Sequence, residues 1–372
     1  MIDQNQNVSN ETVRVLVVDD SVVIRGLIKR FIDPEPDLEV VATAGNGELA
    51  IKRLSQMPID VIILDIEMPV MDGLTALPKL LEASPKVKII MASTLTLENA
   101  EISFRAMSAG AADYLPKPTS SSEIGGPGEF RRDLLEKIRA FGRIPGLPSV
   151  KSSAKPAVSV KKRHIYTEPI ELRSAKLSAP PELLVIGSST GGPEALNKVL
   201  GGISPNLGVP ILIAQHMPPT FTTILAKHLE NVSKWPCREA VDGDRIESGK
   251  IYLAPGDYHM VVEKRPIGKC LRLNQEPPES FCRPAVDPLL RSVAAAYKDR
   301  VLVAILTGMG GDGRKGCGNI VEAGSMVIAQ DEKTSVVWGM PGAVATAGLC
   351  SAVIPIEKIA SHINHLILGG AS

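Results

Sequence analysis

The chain has 372 residues, 44% of them hydrophobic and only 3% aromatic, and its 41 basic and 41 acidic residues cancel. That balance excludes a whole-molecule electrostatic pull toward nucleic acid or an anionic membrane, and the apolar content excludes a largely disordered chain. The length exceeds one typical core and predicts two or three domains with aliphatic interiors.

Val13–Val18 is a β-branched run that reads as a first strand, and Val22–Phe31 follows at helical spacing. Further strands are expected at Leu38–Thr43, Val61–Leu64, Lys88–Ala92 and Ala112–Leu115. Helical periodicity lies between them, as in Leu49–Met57 and Ala100–Met107. Five βα units over residues 13–140 predict a doubly wound, flavodoxin-like parallel sheet. Residues 141–181 are rich in Pro, Ser and Lys without an apolar period, which predicts a linker. Its Lys161–His164 charge run reads as solvated linker rather than as a nucleic-acid patch.

A second, Rossmann-like α/β domain is expected over residues 182–370. Strands are predicted at Leu183–Gly187, Ile211–Gln215, Val301–Leu306, Met326–Ala329 and Ala352–Ile356. Ile251–Ala254 and His259–Glu263 read as shorter strands that could run antiparallel. Helices are predicted at Pro193–Leu200, Phe221–Leu229, Val286–Tyr297, around Ile320–Ala323, and at Ile359–Leu366. The five cysteines (Cys237, Cys270, Cys282, Cys317, Cys350) form no C-x-x-C pair and are odd in number. Neither a zinc site nor a disulfide framework is expected; they read as thiols in a reducing cytosol. The polar start of the chain has no apolar signal core and no apolar run approaches a membrane span, so a cytoplasmic protein without membrane insertion is expected.

Chemistry gathers at the predicted strand ends. Asp19 and Asp20 close the first strand, Asp65 the third, Ser93 and Thr94 the fourth, and Lys117-Pro118 follows the fifth. In a doubly wound sheet these ends meet at one rim, where three carboxylates repel unless a hard cation such as Mg²⁺ neutralises them. These residues, in this order, resemble the receiver domain of two-component response regulators. The resemblance implies Asp65 as phosphoacceptor and Asp20 as direct Mg²⁺ ligand. Asp19 would stand behind Asp20, and the Glu67 carbonyl would be a further ligand. It also implies Ser93 as the switch hydroxyl, Tyr114 as the aromatic switch, and Lys117 as the phosphate-pairing cation before a cis Pro118.

In the second half, LLVIGSSTGGPEAL reads as strand, Gly-rich turn and helix, with Ser189 in the turn. N–H groups at such a helix start favour an oxyanion. No Gly-Lys-Ser/Thr follows, so the turn is not a P-loop, although by itself it also fits a phosphate cradle. His216 in QHMPP and Asp312 in GMGGDG each fall just past a further strand, so a hydroxyl, a base and an orienting carboxylate would share one rim. A rival reading takes Gly308–Gly313 as a dinucleotide fingerprint with Asp331 as the ribose acid. It predicts a receiver-gated oxidoreductase, but it puts Asp312 beside a pyrophosphate and leaves Ser189 and His216 without a task.

IGSSTGGPEAL, QHMPPTFT and LTGMGGDG together resemble the catalytic domain of CheB-type chemotaxis methylesterases, over residues 182–370. That family implies Ser189 as nucleophile, His216 as general base and acid, and Asp312 as orienter. Thr190 and Met309 match its oxyanion and pocket positions. FCRPAVDPLL matches a family stretch near the site, with Cys282 where histidine or another polar group is expected. The implied reaction is hydrolysis of glutamyl methyl esters, and deamidation of glutamines, on methyl-accepting chemoreceptors. No metal is expected in the esterase site. The implied phosphodonor is a CheA-type histidine kinase, and the unphosphorylated receiver is expected to block the esterase.

Overall fold

The structure, a computed structural model, describes residues 12–94, 96–118, 128–142, 170–174 and 179–369. Most of the expected linker, residues 143–169 and 175–178, lies outside the described residues. The chain forms two compact units that divide near residue 163.

The first unit holds strands β1 (Val13–Val18), β2 (Leu38–Ala44), β3 (Val61–Asp65), β4 (Lys88–Ser93) and β5 (Asp113–Pro116). They pair in the order β2-β1-β3-β4-β5, and every pairing is parallel. The helices are α1 (Val22–Ile32), α2 (Gly47–Gln56), α3 (Gly73–Ala83), α4 (Leu97–Ser108) and α5 (Glu129–Gly142). The first four helices start at Ser21, Asn46, Asp72 and Thr96. Each of these side chains accepts a backbone N–H of the first turn, which satisfies a donor the helix cannot. Val13, Val15 and Val17 of β1 pack with Leu27, Ile28 and Phe31 of α1 and with Leu134 and Ile138 of α5. The alternate residues Leu16 and Val18 are buried as well. Burial of both faces explains why the strands read as unbroken apolar runs.

Among the described glycines of this unit, Gly73 is the most tightly packed. A Cβ there would lie 2.0 Å from the Asp65 carbonyl oxygen, a backbone atom with little freedom to yield. Gly73→Ala is expected to destabilise the unit by about 3 kcal/mol through overpacking. Urea unfolding of the full chain checks this, and an unchanged first midpoint would contradict it.

The second unit holds β6 (Leu183–Ser188), β7 (Ile211–Gln215), β8 (Cys237–Glu239), β9 (Ile251–Leu253), β10 (His259–Lys264), β11 (Lys269–Asn274), β12 (Val301–Ile305), β13 (Met326–Gln330) and β14 (Ala352–Ile354). Its helices are α6 (Gly192–Gly201), α7 (Phe221–Ser233), α8 (Val286–Tyr297), α9 (Arg314–Glu322), α10 (Met340–Thr346) and α11 (Ile356–Leu368). A seven-stranded parallel sheet runs β14-β13-β12-β6-β7-β9-β8. Among the described strands of this unit only β10 and β11 pair antiparallel with each other, as a separate hairpin. Ile251–Leu253 is therefore parallel, wedged between β7 and β8, and of the two short strands only His259–Lys264 is antiparallel. Three elements were not among those expected. β8 is too short to show a period, the polar Lys269–Asn274 run owes its pairing to β10, and Pro341 and Gly342 disguise α10.

In both sheets the chain reverses direction at one point. In the first it lies between β1 and β3, and in the second between β6 and β12. Such switch points open a crevice at the strand C-termini, which is where ligands bind in open α/β sheets.

Candidate functional site

At the first switch point Asp19 and Asp65 are buried, with 1% and 3% exposure, while Asp20 is exposed. One carboxylate oxygen from each of the three lies within 4.8 Å of the others. Lys117 bridges the two buried acids, with Nζ 2.8 Å from Asp19 Oδ2 and 2.6 Å from Asp65 Oδ1. Burial pushes the Asp65 carboxyl up and Lys117 pulls it partly back, leaving it at about 6. Burial would lower the Lys117 ammonium, but its bonds to Asp19 and Asp65 raise it overall. Ser93 is buried, and its Oγ lies 3.2 Å from Ser103 Oγ. Its neighbour Thr94 instead accepts from Asn99 Nδ2 at 2.6 Å. Lys117 N–H donates to the Ser93 carbonyl at 2.7 Å, tying the ends of β4 and β5 together. Tyr114 is buried within β5, and its hydroxyl is held well above its ordinary pKa by burial and then by Asp113 and Asp133. Glu67 is exposed on the loop after β3. Among the described residues the cis peptide bond is Arg283–Pro284, and Lys117–Pro118 is not one.

At the second switch point β6 ends in Ser188, and a three-residue turn, with Gly191 at φ 74°, leads into α6. A left-handed residue here needs glycine. Gln215 at the end of β7 fastens the turn. Its Oε1 accepts from Ser188 Oγ at 2.6 Å, and its Nε2 donates to the Ser189 carbonyl at 2.9 Å and the His216 carbonyl at 3.3 Å. Ser189 N–H donates to the Thr307 carbonyl at 3.1 Å, and Thr307 Oγ1 to the Thr190 carbonyl at 3.0 Å. The adjacent serines thus differ: Ser188 is buried and hydrogen-bonded, and Ser189 is only half-buried.

His216 and Asp312, 96 residues apart, meet with Nε2 2.7 Å from Oδ2. Asp312 is fully buried and also accepts the N–H groups of Val286 (2.6 Å), Asp287 (3.0 Å) and Gly313 (2.8 Å). Burial alone would raise this carboxyl. His216, and then the N–H groups of Val286 and Asp287 at the start of α8, outweigh burial and hold it below the usual range. Burial would lower the His216 imidazole, but Cys282 and Asp312 lift it above its ordinary value. Cys282 is half-buried. Among the described residues no hydrogen bond joins the side chains of Ser189 and His216, a contact that commonly closes only with substrate bound. Met309 is half-buried and Thr190 is buried.

Sequence reasoning missed Gln215, Thr307 and Asp287. Asp287 Oδ1 accepts Gly316 N–H at 2.6 Å, and burial pushes its carboxyl up to about 6. Its signal lay in the FCRPAVDPLL stretch, whose Arg283 binds Asp257 with NH2 2.5 Å from Oδ1. The dinucleotide reading of Gly308–Gly313 finds no support. Two protein carboxylates already take the N–H groups at the start of α9, where a pyrophosphate would sit. Asp331 is engaged by Thr334, whose Oγ1 donates at 2.5 Å and whose N–H donates at 3.1 Å.

The comparisons with known proteins agree with this division. The response regulator receiver domain model matches residues 15–125, and the CheB methylesterase model matches residues 184–363. The protein-glutamate methylesterase/protein-glutamine glutaminase 1 of Paramagnetospirillum magneticum is 53% identical over 96% of this chain and 97% of its own length. The protein of the same name from Rhodospirillum rubrum is 54% identical over 94% of each chain. Of solved structures, the Thermotoga maritima CheB methylesterase catalytic domain is 39% identical, with TM-score 0.49, covering 50% of this chain and 100% of that one. The Thermotoga maritima CheB response regulator domain is 38% identical, with TM-score 0.33, covering 37% and 100%. The molecule is a receiver-bearing response regulator whose second α/β domain is of the hydrolase class. The chain belongs to the CheB methylesterase family, the protein-glutamate methylesterases/protein-glutamine glutaminases. Among the described residues no helix is long and apolar enough to cross a membrane.

Proposed function

We propose that the chain is a cytoplasmic, phosphorylation-controlled enzyme that hydrolyses glutamyl methyl esters, and deamidates glutamines, on methyl-accepting chemoreceptors. The observation that carries this reading is the 2.7 Å His216–Asp312 pair, set beside the Ser189 turn at a sheet switch point. A buried carboxylate accepts only, so Nε2 carries the proton toward Asp312 and Nδ1 is left as the base. His216 takes the Ser189 proton as Oγ attacks the ester carbonyl, and Asp312 steadies the imidazolium. The N–H groups of Thr190 and Met309 have no acceptor among the described residues and would receive the oxyanion. His216 then protonates departing methanol, and water releases the glutamyl-enzyme by the same path in reverse.

In the receiver, Asp65 is the phosphoacceptor, and a CheA-type histidine kinase is the phosphodonor. The hard oxygen donors of Asp19, Asp20 and Asp65, with the Glu67 carbonyl, suit Mg²⁺. When bound it would neutralise the acids and meet a phosphoryl oxygen. Lys117 pairs with the new phosphoryl group, and Ser93 and Tyr114 relay its presence. Methanol release from a methylated chemoreceptor is expected to rise with a phosphodonor in the wild type and to stay at its basal rate in Asp65→Asn. An Asp65→Asn variant as responsive as the wild type would remove the phosphoacceptor assignment.

A further inference from the structure

The two backbone N–H groups assigned to the oxyanion are aimed by the peptide units they belong to. The Thr190 N–H shares its peptide with the Ser189 carbonyl, and the Met309 N–H shares its peptide with the Gly308 carbonyl. Among the described residues the cis peptide bond is Arg283–Pro284, so both of these units are trans. In a trans unit the C=O and the N–H point in opposite directions, so whatever grips the carbonyl aims the donor. The Gly308 carbonyl is gripped by backbone, through Gly339 N–H at 3.1 Å and Met340 N–H at 2.8 Å. The Ser189 carbonyl accepts Gly192 N–H at 2.7 Å and, from a side chain, Gln215 Nε2 at 2.9 Å. The two units are neighbours, since a Cβ on Gly308 would lie 2.9 Å from the Ser189 nitrogen and 2.9 Å from the Ser189 Cβ.

Gln215 is fitted closely into this place. It lies at the end of β7 and is 2% exposed. Both ends of its amide are bonded: Ser188 Oγ donates to Oε1 at 2.6 Å, and Nε2 also reaches the His216 carbonyl at 3.3 Å. Carbonyls only accept, so the NH2 end must face Ser189 and His216. Gly192 leaves room for the amide, because a Cβ there would lie 1.9 Å from Gln215 Oε1. At the other end of the same peptide, the Thr190 N–H has no acceptor among the described residues, although Thr190 is only 6% exposed. A buried donor without an acceptor is costly, and its presence points to an acceptor that arrives with substrate. A carbonyl that accepts a hydrogen bond also polarises the N–H across its peptide, which strengthens that donor.

We propose that Gln215 is a positioning residue of the reaction: by holding the Ser189 carbonyl it aims the Thr190 N–H at the developing oxyanion. This rests on the esterase reading above. The test uses the full chain with a phosphodonor and follows methanol release from a methylated chemoreceptor. Gln215→Met keeps the length of the side chain and removes its donors, but it leaves the buried Ser188 hydroxyl unpaired. The double variant Ser188→Ala/Gln215→Met removes that hydroxyl too and is expected to fold even if the single variant does not. Relative to Ser188→Ala, the double variant is expected to lose on the order of 10²-fold in kcat, the size of a lost oxyanion donor, with KM little changed. The acid limb of kcat/KM is expected to stay where Ser188→Ala has it, because the base is untouched. A double variant with the kcat of Ser188→Ala overturns this inference alone. A shifted acid limb also overturns it, because the amide would then act through His216, and so does a rise in KM at constant kcat. A wild type that releases no methanol overturns the esterase reading and this inference together.

Discussion

Ser189→Ala is expected to lower methanol release from a methylated chemoreceptor by about 10⁶-fold while leaving the fold intact, the loss typical when a catalytic serine is removed. The fold should survive because the Ser189 hydroxyl is half-buried and has no hydrogen bond among the described residues. Ser188→Ala makes the contrast. Its hydroxyl is buried and donates to Gln215 Oε1 at 2.6 Å. Losing it leaves a buried acceptor unpaired and should cost about 1–3 kcal/mol of stability, with most of the activity kept. Thermal unfolding and methanol release measured on both variants separate the two serines. A Ser189→Ala enzyme above about one hundredth of the wild-type rate would end its assignment as nucleophile.

Asp312→Asn is expected to lower kcat by about 10⁴-fold and to shift the acid limb of the kcat/KM profile to lower pH. The sign comes from the site. Asp312 favours the imidazolium form of His216, so removing its charge lowers the His216 pKa and the neutral base persists to lower pH. The rate still falls, because an amide can present N–H to the ring and stabilise the wrong tautomer. The same NH2, standing where Oδ2 stood, would face the Val286 N–H that Asp312 now satisfies, so stability should fall as well. Circular dichroism at the assay temperature distinguishes unfolding from lost catalysis. A folded Asp312→Asn enzyme whose acid limb stays where the wild type has it would show that Asp312 does not tune His216.

Much of the fold could be read from the sequence, because each long strand of both sheets is a local feature. Val13–Val18, Leu183–Ser188 and Val301–Ile305 are compact apolar runs, and cap residues such as Ser21 and Asp72 mark the starts of helices α1 and α3. The candidate groups were legible for the same reason: Asp65, Ser189 and His216 stand where such runs stop. Elements held by partners rather than by their own pattern were not. Cys237–Glu239 is a strand only because β9 lies beside it, and Lys269–Asn274 only because β10 does. Gln215 resembles the end of any strand. Its two hydrogen-bonding arms gain meaning when the Ser189 turn is folded against them.

The amino-acid order alone determined the two α/β halves, the acidic rim of the first and the hydroxyl, imidazole and carboxylate of the second. Tertiary structure alone decided that β12 and β7 flank β6 and that His216 closes on Asp312. The reason is physical. Buried parallel strands carry nearly the same apolar signal, so their order depends on how helices and strands distant in the chain pack, which no local pattern encodes.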